Sequence, residues 1–152
     1  MTDKKPLKRS KELRSFSVDH HHGLLLSWKI RTGFKKGIEV KRMANYVEWF
    51  YQNHLMPHFK LEEQYMFPVL GDADPDIVKA LDDHRELTAL IENRNQPEAL
   101  HQLADALEAH IRFEERVLFG RIQQAATPDQ LTRIEQIHDS EKFVEHHDEF
   151  WK

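Results

Sequence analysis

The sequence predicts an all-α protein: an antiparallel, up-down four-helix bundle with an additional C-terminal helix. Three observations support this fold class. Apolar residues recur at spacings of three and four, which is the helical period, and no stretch alternates with the period of two that strands show. Glycine (5) and proline (6) are scarce among the 152 residues, which is typical of long helices joined by short turns. Short connections in turn favour antiparallel neighbours.

Capping residues, prolines and glycines divide the chain into five predicted helices. The predicted bounds are Ser17 to Gly33 or Gly37, Glu39 to Val69, Asp74-Pro75 to Asn95, Pro97 to Ala125, and the capping box Thr127-Pro128-Asp129-Gln130 to Phe150. These bounds predict a disordered basic tail over residues 1–14, the bundle over residues 15–126, and a C-terminal helix packed on it over residues 127–152. Pro57 lies inside the second helix and should bend it, either as a tolerated kink or as a reshaping of the core beside His58.

Composition excludes several classes of function. The formal net charge of −4 argues against a nucleic-acid-binding protein, because binding phosphates requires a positive field. The absence of cysteine excludes disulfides, thiolate catalysis, iron–sulfur clusters and Cys-ligated zinc. No apolar run has membrane-spanning length and no signal-peptide core is present, so we expect a cytoplasmic protein that does not bind a membrane. Histidine, by contrast, is abundant, with 11 residues.

Histidine and glutamate occupy positions in the middle of the predicted helices where apolar residues are expected. The predicted core-facing stripes are Val18, His21, Leu25 and Trp28 on the first helix; Val47, Tyr51, His54, His58, Glu62 and Tyr65 on the second; Ile77, Leu81, His84, Leu87 or Thr88, and Ile91 on the third; and Leu100, Leu103, Leu107, His110, Glu114 and Val117 on the fourth. Burying unpaired carboxylates is costly. A pair of dications removes that cost, because it compensates both carboxylates and binds neutral imidazoles.

The second and fourth helices repeat each other. The stretch from His58 to Phe67 matches the stretch from His110 to Phe119, with identical His, Glu, Glu and Phe residues at the same spacing. A single His-x-x-x-Glu pair is common on exposed helices and would be weak evidence. Two copies in register, both in apolar stripes, indicate two helix-pair halves related by a pseudo-two-fold axis. A site built from two such halves is expected to be dinuclear.

These residues resemble the hemerythrin-like family, also called the HHE cation-binding domain, over residues 15–122. The family pattern is a His on the first helix, His-x-x-x-Glu on the second, a His on the third and His-x-x-x-Glu on the fourth. The resemblance implies a metal site with the ligands His21 (or His20), His58, Glu62, His84, His110 and Glu114. It also implies two iron ions, bridged by the glutamates and by an oxo or hydroxo group, although such nitrogen and carboxylate ligands also suit Zn or Mn.

Two histidines compete for the ligand position on the first helix. His21 is favoured over His20, because a leucine follows it at +3, as one follows His84, whereas glycine follows His20. His54 lies one turn before His58. We interpret His54 as a residue that supports a ligand or fills the core, with an additional ligand as the alternative.

Two departures from the oxygen-carrying members of that family shift the expected role. Those proteins place a second His one turn from the first on the third helix, where this chain has Ala80 and Thr88. Their last carboxylate is an Asp five residues after the fourth-helix His, whereas Glu114 stands at four. We therefore expect a non-haem di-iron protein that binds or senses a small diatomic ligand (O2, NO or peroxide), rather than a bulk oxygen carrier. The alternatives are a di-iron oxidase or peroxide-consuming enzyme, and a protein that stores or hands over iron.

Overall fold

The computed structural model describes residues 8–138 and 143–152, and among these residues it contains helices and no strand. A 3-10 turn (Lys11–Leu13) leads directly into α1 (Arg14–Lys35). The other α-helices are α2 (Val40–Phe50), α3 (Met56–Leu61), α4 (Pro75–Glu92), α5 (Pro97–Phe113), α6 (Phe119–Ala125) and α7 (Pro128–Ile137). The all-α prediction is confirmed.

Several of these helices join end to end into longer rods. Residues 40–69 form the second rod, in which α2 and α3 are joined by a π-helical turn (Tyr51–Leu55) and followed by another (Glu62–Met66) and a 3-10 turn (Phe67–Val69). Residues 97–125 form the fourth rod, in which a π-helical turn (Glu114–Leu118) joins α5 to α6. The first and third rods are α1 and α4. α5 packs against both α1 and α4.

The three π-helical turns change which residues face the core. In each turn an N–H donates to the carbonyl five residues earlier; these bonds run from Met56 to Tyr51, from Phe67 to Glu62 and from Phe119 to Glu114. Because each turn inserts one extra residue, the buried stripe is displaced by one position after it. Val117, predicted in the core, is 41% exposed, and Leu118 is fully buried in its place. Met66 likewise takes the buried position that was predicted for Tyr65.

The first π-helical turn also explains how the second rod accommodates Pro57. In a regular α-helix the nitrogen of Pro57 would donate to the carbonyl of Asn53, which proline cannot do, and its ring would clash there. The wider Tyr51–Leu55 turn lies directly before this point. The change that was predicted at Pro57 is therefore a local widening of the helix, and α3 begins directly after it without a break in the rod.

The beginning of the bundle lies earlier than predicted. Ser17 is not the N-cap of α1, because α1 begins at Arg14, and Leu13 and Phe16 are already fully buried. The prediction of a disordered tail over residues 1–14 is wrong for residues 8–14, where the Arg9 guanidinium donates to the Glu115 carbonyl at 2.6 Å. The rest of that predicted tail, residues 1–7, lies outside the described residues.

The C-terminal part also differs from the prediction. The capping box at Thr127 and Gln130 is confirmed, but the helix it starts ends at Ile137 instead of Phe150. Residues 143–152 are not helical and pack back on the bundle, with the rings of Phe150 and Trp151 in the core. Trp151 can dock because its aromatic ring lies over the buried ammonium of Lys29, at 4.1 Å. Residues 139–142 of the predicted helix lie outside the described residues.

Buried apolar side chains form two clusters with a polar layer between them. The first cluster includes Leu26 of α1, Phe59 of the second rod and Leu107 of α5. The second cluster includes Phe16 of α1 and Phe119 of α6. In each rod, buried His or Glu residues occupy the positions between the two clusters. This order places the polar side chains of all four rods at one level, in the middle of the apolar core.

Candidate metal centre

Six ligand-type side chains meet in the layer between the two apolar clusters. Each is at most 4% exposed: His20 on α1, His58 on α3, Glu62 at the start of its π-helical turn, His84 on α4, His110 on α5, and Glu114 at the start of its π-helical turn. The two carboxylates are fully buried. Among the described residues, these six supply two groups of four side chains whose ligand atoms lie within 4.8 Å of one another.

One group of four consists of His20, His58, Glu62 and Glu114. The Nε2 atom of His20 lies 2.8 Å from Oε1 of Glu114 and 3.2 Å from Nε2 of His58. The Nε2 atom of His58 lies 3.1 Å from Oε2 of Glu62. Two imidazole nitrogens and two carboxylates therefore point at one small volume.

The other group of four consists of His84, His110 and the same two glutamates. The Nε2 atom of His84 lies 3.2 Å from Oε1 of Glu62, and that of His110 lies 3.4 Å from Oε1 of Glu114. Glu62 thus presents one oxygen to each group, Oε2 to the first and Oε1 to the second. This sharing is the arrangement that a carboxylate needs in order to bridge two cations.

Several inward-facing atoms of the cluster are buried and make no hydrogen bond with the described residues. They are both carboxylate oxygens of Glu62, Oε2 of Glu114, and Nε2 of His84 and His110. An unsatisfied buried polar atom costs about 1–3 kcal/mol, and a charged one costs more. Since all of these atoms are electron-pair donors facing one another, bound cations satisfy them together. The residues therefore fit a metal centre.

Each of the four histidines is held from behind by a separate carboxylate. The Nδ1 atoms of His20, His58, His84 and His110 lie 2.6, 2.9, 2.6 and 2.9 Å from Glu115, Asp19, Glu63 and Asp83, respectively. An ionised carboxylate can only accept, so each Nδ1–H donates. In the neutral form of each ring, this assignment leaves the lone pair of the Nε2 atom facing the centre. Carboxylate–histidine pairs of this kind orient the ring and increase its basicity as a metal ligand.

Sequence reasoning missed these four carboxylates, although the sequence contains a signal for them. Asp19 directly precedes His20, just as Asp83 directly precedes His84, and each His-x-x-x-Glu motif is followed by a second glutamate. The internal repeat therefore covers the outer carboxylates as well as the ligands. Matching Asp83-His84 to the first helix would also have selected His20.

The preference for His21 on the first helix is wrong: the structure brings His20 into the cluster and leaves His21 exposed. The leucine criterion failed because the buried face of α1 contains Phe16, His20 and Gly23, so that glycine occupies the position three residues after the buried histidine. A Cβ atom on Gly23 would lie 2.6 Å from Cδ1 of Ile111, so a larger residue there would require the end of that side chain to shift. His54 lies outside both groups of four, with its ring 5.1 Å from that of Trp49.

Taken alone, the six side chains favour protonated imidazoles. Burial disfavours the charged ring of His58, but the charge of Glu62 and the hydrogen bond to Asp19 outweigh it and raise the pKa of His58 to about 9. Glu114 and Asp83 act on His110 in the same way and raise its pKa to about 10. Burial would raise the pKa of Glu62, yet the surrounding histidines hold it well below its usual value. A cation that binds these nitrogens must therefore displace protons.

Two cavities reach histidines of the cluster. The larger, of about 730 Å3, reaches His20, His58 and His110 and has mainly apolar walls. The smaller, of about 510 Å3, reaches His84 beside Lys60 and Arg85. A small molecule can thus approach either group of four, and of the two cavities the larger has no lysine or arginine among the described residues that line it.

Comparison with known proteins agrees with this geometry. The family model described as the hemerythrin HHE cation binding domain matches residues 17–96, which include His20, His58, Glu62 and His84. No curated protein and no solved structure gives a significant match. Within the described part of the chain, no helix has the length and apolar character needed to cross a membrane. Since the matched segment is more than half of the chain, the protein belongs to the hemerythrin HHE cation-binding family.

Proposed function

We propose that the protein holds two iron ions in the His/Glu cluster and binds or senses O2 or a related diatomic molecule there. The observation that supports this most strongly is the division of six buried ligands into two groups of four that share both glutamates. Glu62 presents a separate oxygen to each group. A single ion could not use all of these donors, whereas two ions bridged by carboxylates would use them all.

The donor set favours iron over the other candidates. Two imidazoles with carboxylate oxygen, and no thiolate, is the donor chemistry of non-haem iron sites that keep open positions. Structural zinc prefers four closed ligands in a tetrahedron. Zn and Mn remain occupants that elemental analysis distinguishes from iron.

Bound iron would supply redox chemistry and open coordination positions at which a diatomic molecule can bind. The chain supplies the surroundings. The apolar walls of the larger cavity, including Leu107 and Ile111, favour an apolar molecule over water. The outer carboxylates hold the four imidazoles in place before any ligand arrives.

We also infer that the four rods run antiparallel, up and down, as the family resemblance implies. In α1 and α4 the chain passes from the second apolar cluster to the first, and in the second and fourth rods it passes from the first to the second. Consecutive rods therefore run in opposite directions through the polar layer.

Metal analysis of the protein, reconstituted anaerobically with Fe(II), tests the proposal. We expect about two iron ions per chain and a visible spectrum that changes on adding O2 and reverts when O2 is removed. His20→Ala should lose at least one ion, whereas His21→Ala, the exposed neighbour of the same residue type, should keep both. Fewer than one iron ion per chain in the wild type, with an equal effect of the two variants, would overturn the proposal.

The same experiment separates the two alternatives. Sustained consumption of peroxide by the iron-loaded protein would identify an enzyme. Release of iron on simple dilution, together with loss of helical structure, would identify a protein that stores or hands over iron. A protein loaded in the cell with zinc would exclude the redox role altogether.

A further inference from the structure

The C-terminal segment, residues 143–152, contributes a phenylalanine to the wall of the larger cavity. The ring of Phe143 is stacked on that of His22 in α1, with centroids 4.1 Å apart, and lies 4.7 Å from the ring of His54 in the second rod. Phe143 therefore bridges these two rods, and all three side chains line the larger cavity. No residue of the segment lines the smaller cavity. The segment thus bears on one of the two cavities that reach the metal centre.

Side chains, rather than a shared backbone ladder, attach the C-terminal segment to the bundle. The segment is not helical, and no backbone–backbone hydrogen bond joins it to the other described residues. The ammonium of Lys36 donates to the carbonyl of Trp151 at 2.6 Å, and the guanidinium of Arg42 donates to Asp148 at 2.7 Å. Such a segment can separate from the bundle without breaking a helix, so its opening costs less free energy than global unfolding.

A buried ion pair holds the segment in place. The ammonium of Lys29, whose side chain is 8% exposed, donates to Oε2 of Glu145 and to the hydroxyl of Tyr46, both at 2.8 Å. The Tyr46 hydroxyl donates in turn to the other oxygen of Glu145. The ring of Trp151 covers the ammonium at 4.1 Å. Since a buried charge without a partner is strongly unfavourable, Glu145 is what allows the segment to close over Lys29.

The buried ammonium of Lys29 has no counterpart in the other half of the molecule. His20 and His84 are 64 residues apart, so the equivalent of Lys29 is Asn93, which is exposed at the end of α4. Burying an ammonium is costly, and the second half shows that the bundle forms without one at this position.

The π-helical turn Tyr51–Leu55 has no counterpart either. His58 and His110 are 52 residues apart, so the equivalent stretch, residues 103–107, lies within the regular helix α5. The turn carries His54, whose ring packs against Phe143. The turn and Lys29 both depart from the internal repeat, and both contact the C-terminal segment. π-helical turns inside α-helices often occur at functional sites.

We propose that the C-terminal segment is a cover that opens and closes over the larger cavity, held closed by the Lys29–Glu145 pair, and that its opening controls how fast small molecules reach the metal centre through that cavity. In the closed state Phe143 occupies the space between α1 and the second rod. In the open state that space admits solvent and small molecules, and Lys29 and Glu145 are hydrated separately. The cover itself is formed by protein side chains alone, whereas its role in admitting a ligand rests on the proposed function.

Single introduced thiols test this inference, because the chain contains no cysteine. Leu55→Cys places a thiol at a buried position in the wall of the larger cavity, and Thr88→Cys places one in the wall of the smaller cavity. Mass spectrometry follows their reaction with methyl methanethiosulfonate in the full chain. Adding Glu145→Gln leaves Lys29 without its anion and should speed the reaction of Leu55→Cys by about tenfold to a hundredfold. The reaction of Thr88→Cys should not change.

A matched control lies on the same segment. Glu149 pairs with Lys152 at 2.6 Å instead of with Lys29, so Glu149→Gln should change the reaction rate of neither thiol. Equal acceleration of Leu55→Cys and Thr88→Cys by Glu145→Gln would indicate a loosened bundle instead of an opened cover, and would overturn the inference.

A second variant removes the cover without touching the ion pair. Phe143→Ala should also speed the reaction of Leu55→Cys by at least about tenfold, whereas Val144→Ala, at a neighbouring position that is 74% exposed, should not. Circular dichroism should show an intact fold in both. An unchanged reaction rate of Leu55→Cys in both Glu145→Gln and Phe143→Ala would overturn the inference.

The role in access is measured separately on the iron-loaded protein. Phe143→Ala should raise the rate constant for binding NO, followed by stopped-flow absorbance, by a factor similar to that for thiol labelling and without changing the iron content. Faster labelling with an unchanged NO rate would show that the cover does not control access. Because thiol labelling does not require iron, a failure of the cover is distinguishable from a failure of the proposed function.

Discussion

The two halves of the molecule present the same ligands in different surroundings. The first half, α1 with the second rod, presents Asp19-His20 and a His-x-x-x-Glu-Glu motif; the second half, α4 with the fourth rod, presents Asp83-His84 and a second copy. Asp19 is shared with His138, which follows α7, at 2.5 Å. Asp83 is shared instead with the ammonium of Lys79, at 2.8 Å. The duplicated motif thus determines the ligands, and at Asp19 a residue from the later part of the chain takes the place that Lys79 has at Asp83.

The halves are also interlocked. The second glutamate of each motif holds the lone histidine of the other half: Glu63 accepts from His84, and Glu115 accepts from His20. Neither half can therefore orient all of its own histidines. This exchange explains why the site is expected to form only when both halves are packed together, even though each half contains a full set of ligand types.

The largest expected effect comes from the residues that both halves share. Glu62→Ala should abolish binding of both ions, and Glu114→Ala should do the same, because each carboxylate belongs to both groups of four. Metal content per chain, measured by elemental analysis after reconstitution, checks this. Glu86→Ala on the exposed face of α4 is the control. A Glu62→Ala protein that keeps one tightly bound ion would show that the halves are independent.

The next largest effect tests whether the π-helical turns set the same register in both halves. Leu118→Ala and Met66→Ala each remove a fully buried side chain at equivalent positions and should destabilise the protein by about 2–5 kcal/mol. The neighbouring changes Val117→Ala and Gln64→Ala affect exposed positions and should stay within about 0.5 kcal/mol. Urea unfolding measures all four. A large cost at Val117 would mean that the fourth rod is a regular α-helix at this point.

A smaller effect should be confined to one half at a time. Asp19→Asn and Asp83→Asn each weaken the support of one histidine and should lower the affinity for one of the two ions by about 10–100-fold. Competition with a chelator resolves the two affinities. Asp82→Asn is a matched control, because Asp82 is exposed and contacts Arg85 instead of a ligand. An equal loss for both ions in Asp19→Asn would show that the two positions are strongly coupled.

The smallest effect concerns the partners that distinguish the halves. His138→Gln and Lys79→Gln leave both aspartates in place and should change the affinity for one ion by only a few-fold, since they act on the ligands through one intervening carboxylate. The two ions should respond separately, the His58 side to His138 and the His110 side to Lys79. Dissociation rates of the two ions into a chelator measure this difference. Identical kinetic changes in the two variants would remove the proposed asymmetry.

Much of the fold was predictable because its signals are local. The caps at Asp74 and Thr127 and the glycine breaks at Gly37 and Gly71, both with positive φ, were visible in the sequence and are confirmed. The position of the buried stripe could not be predicted, because a π-helical turn leaves no simple pattern in the sequence. For this reason Val117 was placed in the core instead of Leu118. The N-cap assigned to Ser17 was wrong as well, because α1 begins one turn earlier, at Arg14.

The sequence by itself determined the all-helical fold and the family. It also determined five of the six residues that meet in the cluster, because polar residues repeated at helical spacing in an apolar stripe are costly to bury unless they share a bound cation. The tertiary structure identified the sixth, His20, because α1 buries the face that contains Phe16, His20 and Gly23 and leaves His21 exposed. The tertiary structure likewise decided which carboxylate supports which histidine and how the chain after α7 folds back. These features depend on distances between segments far apart in sequence, and no local pattern encodes such distances.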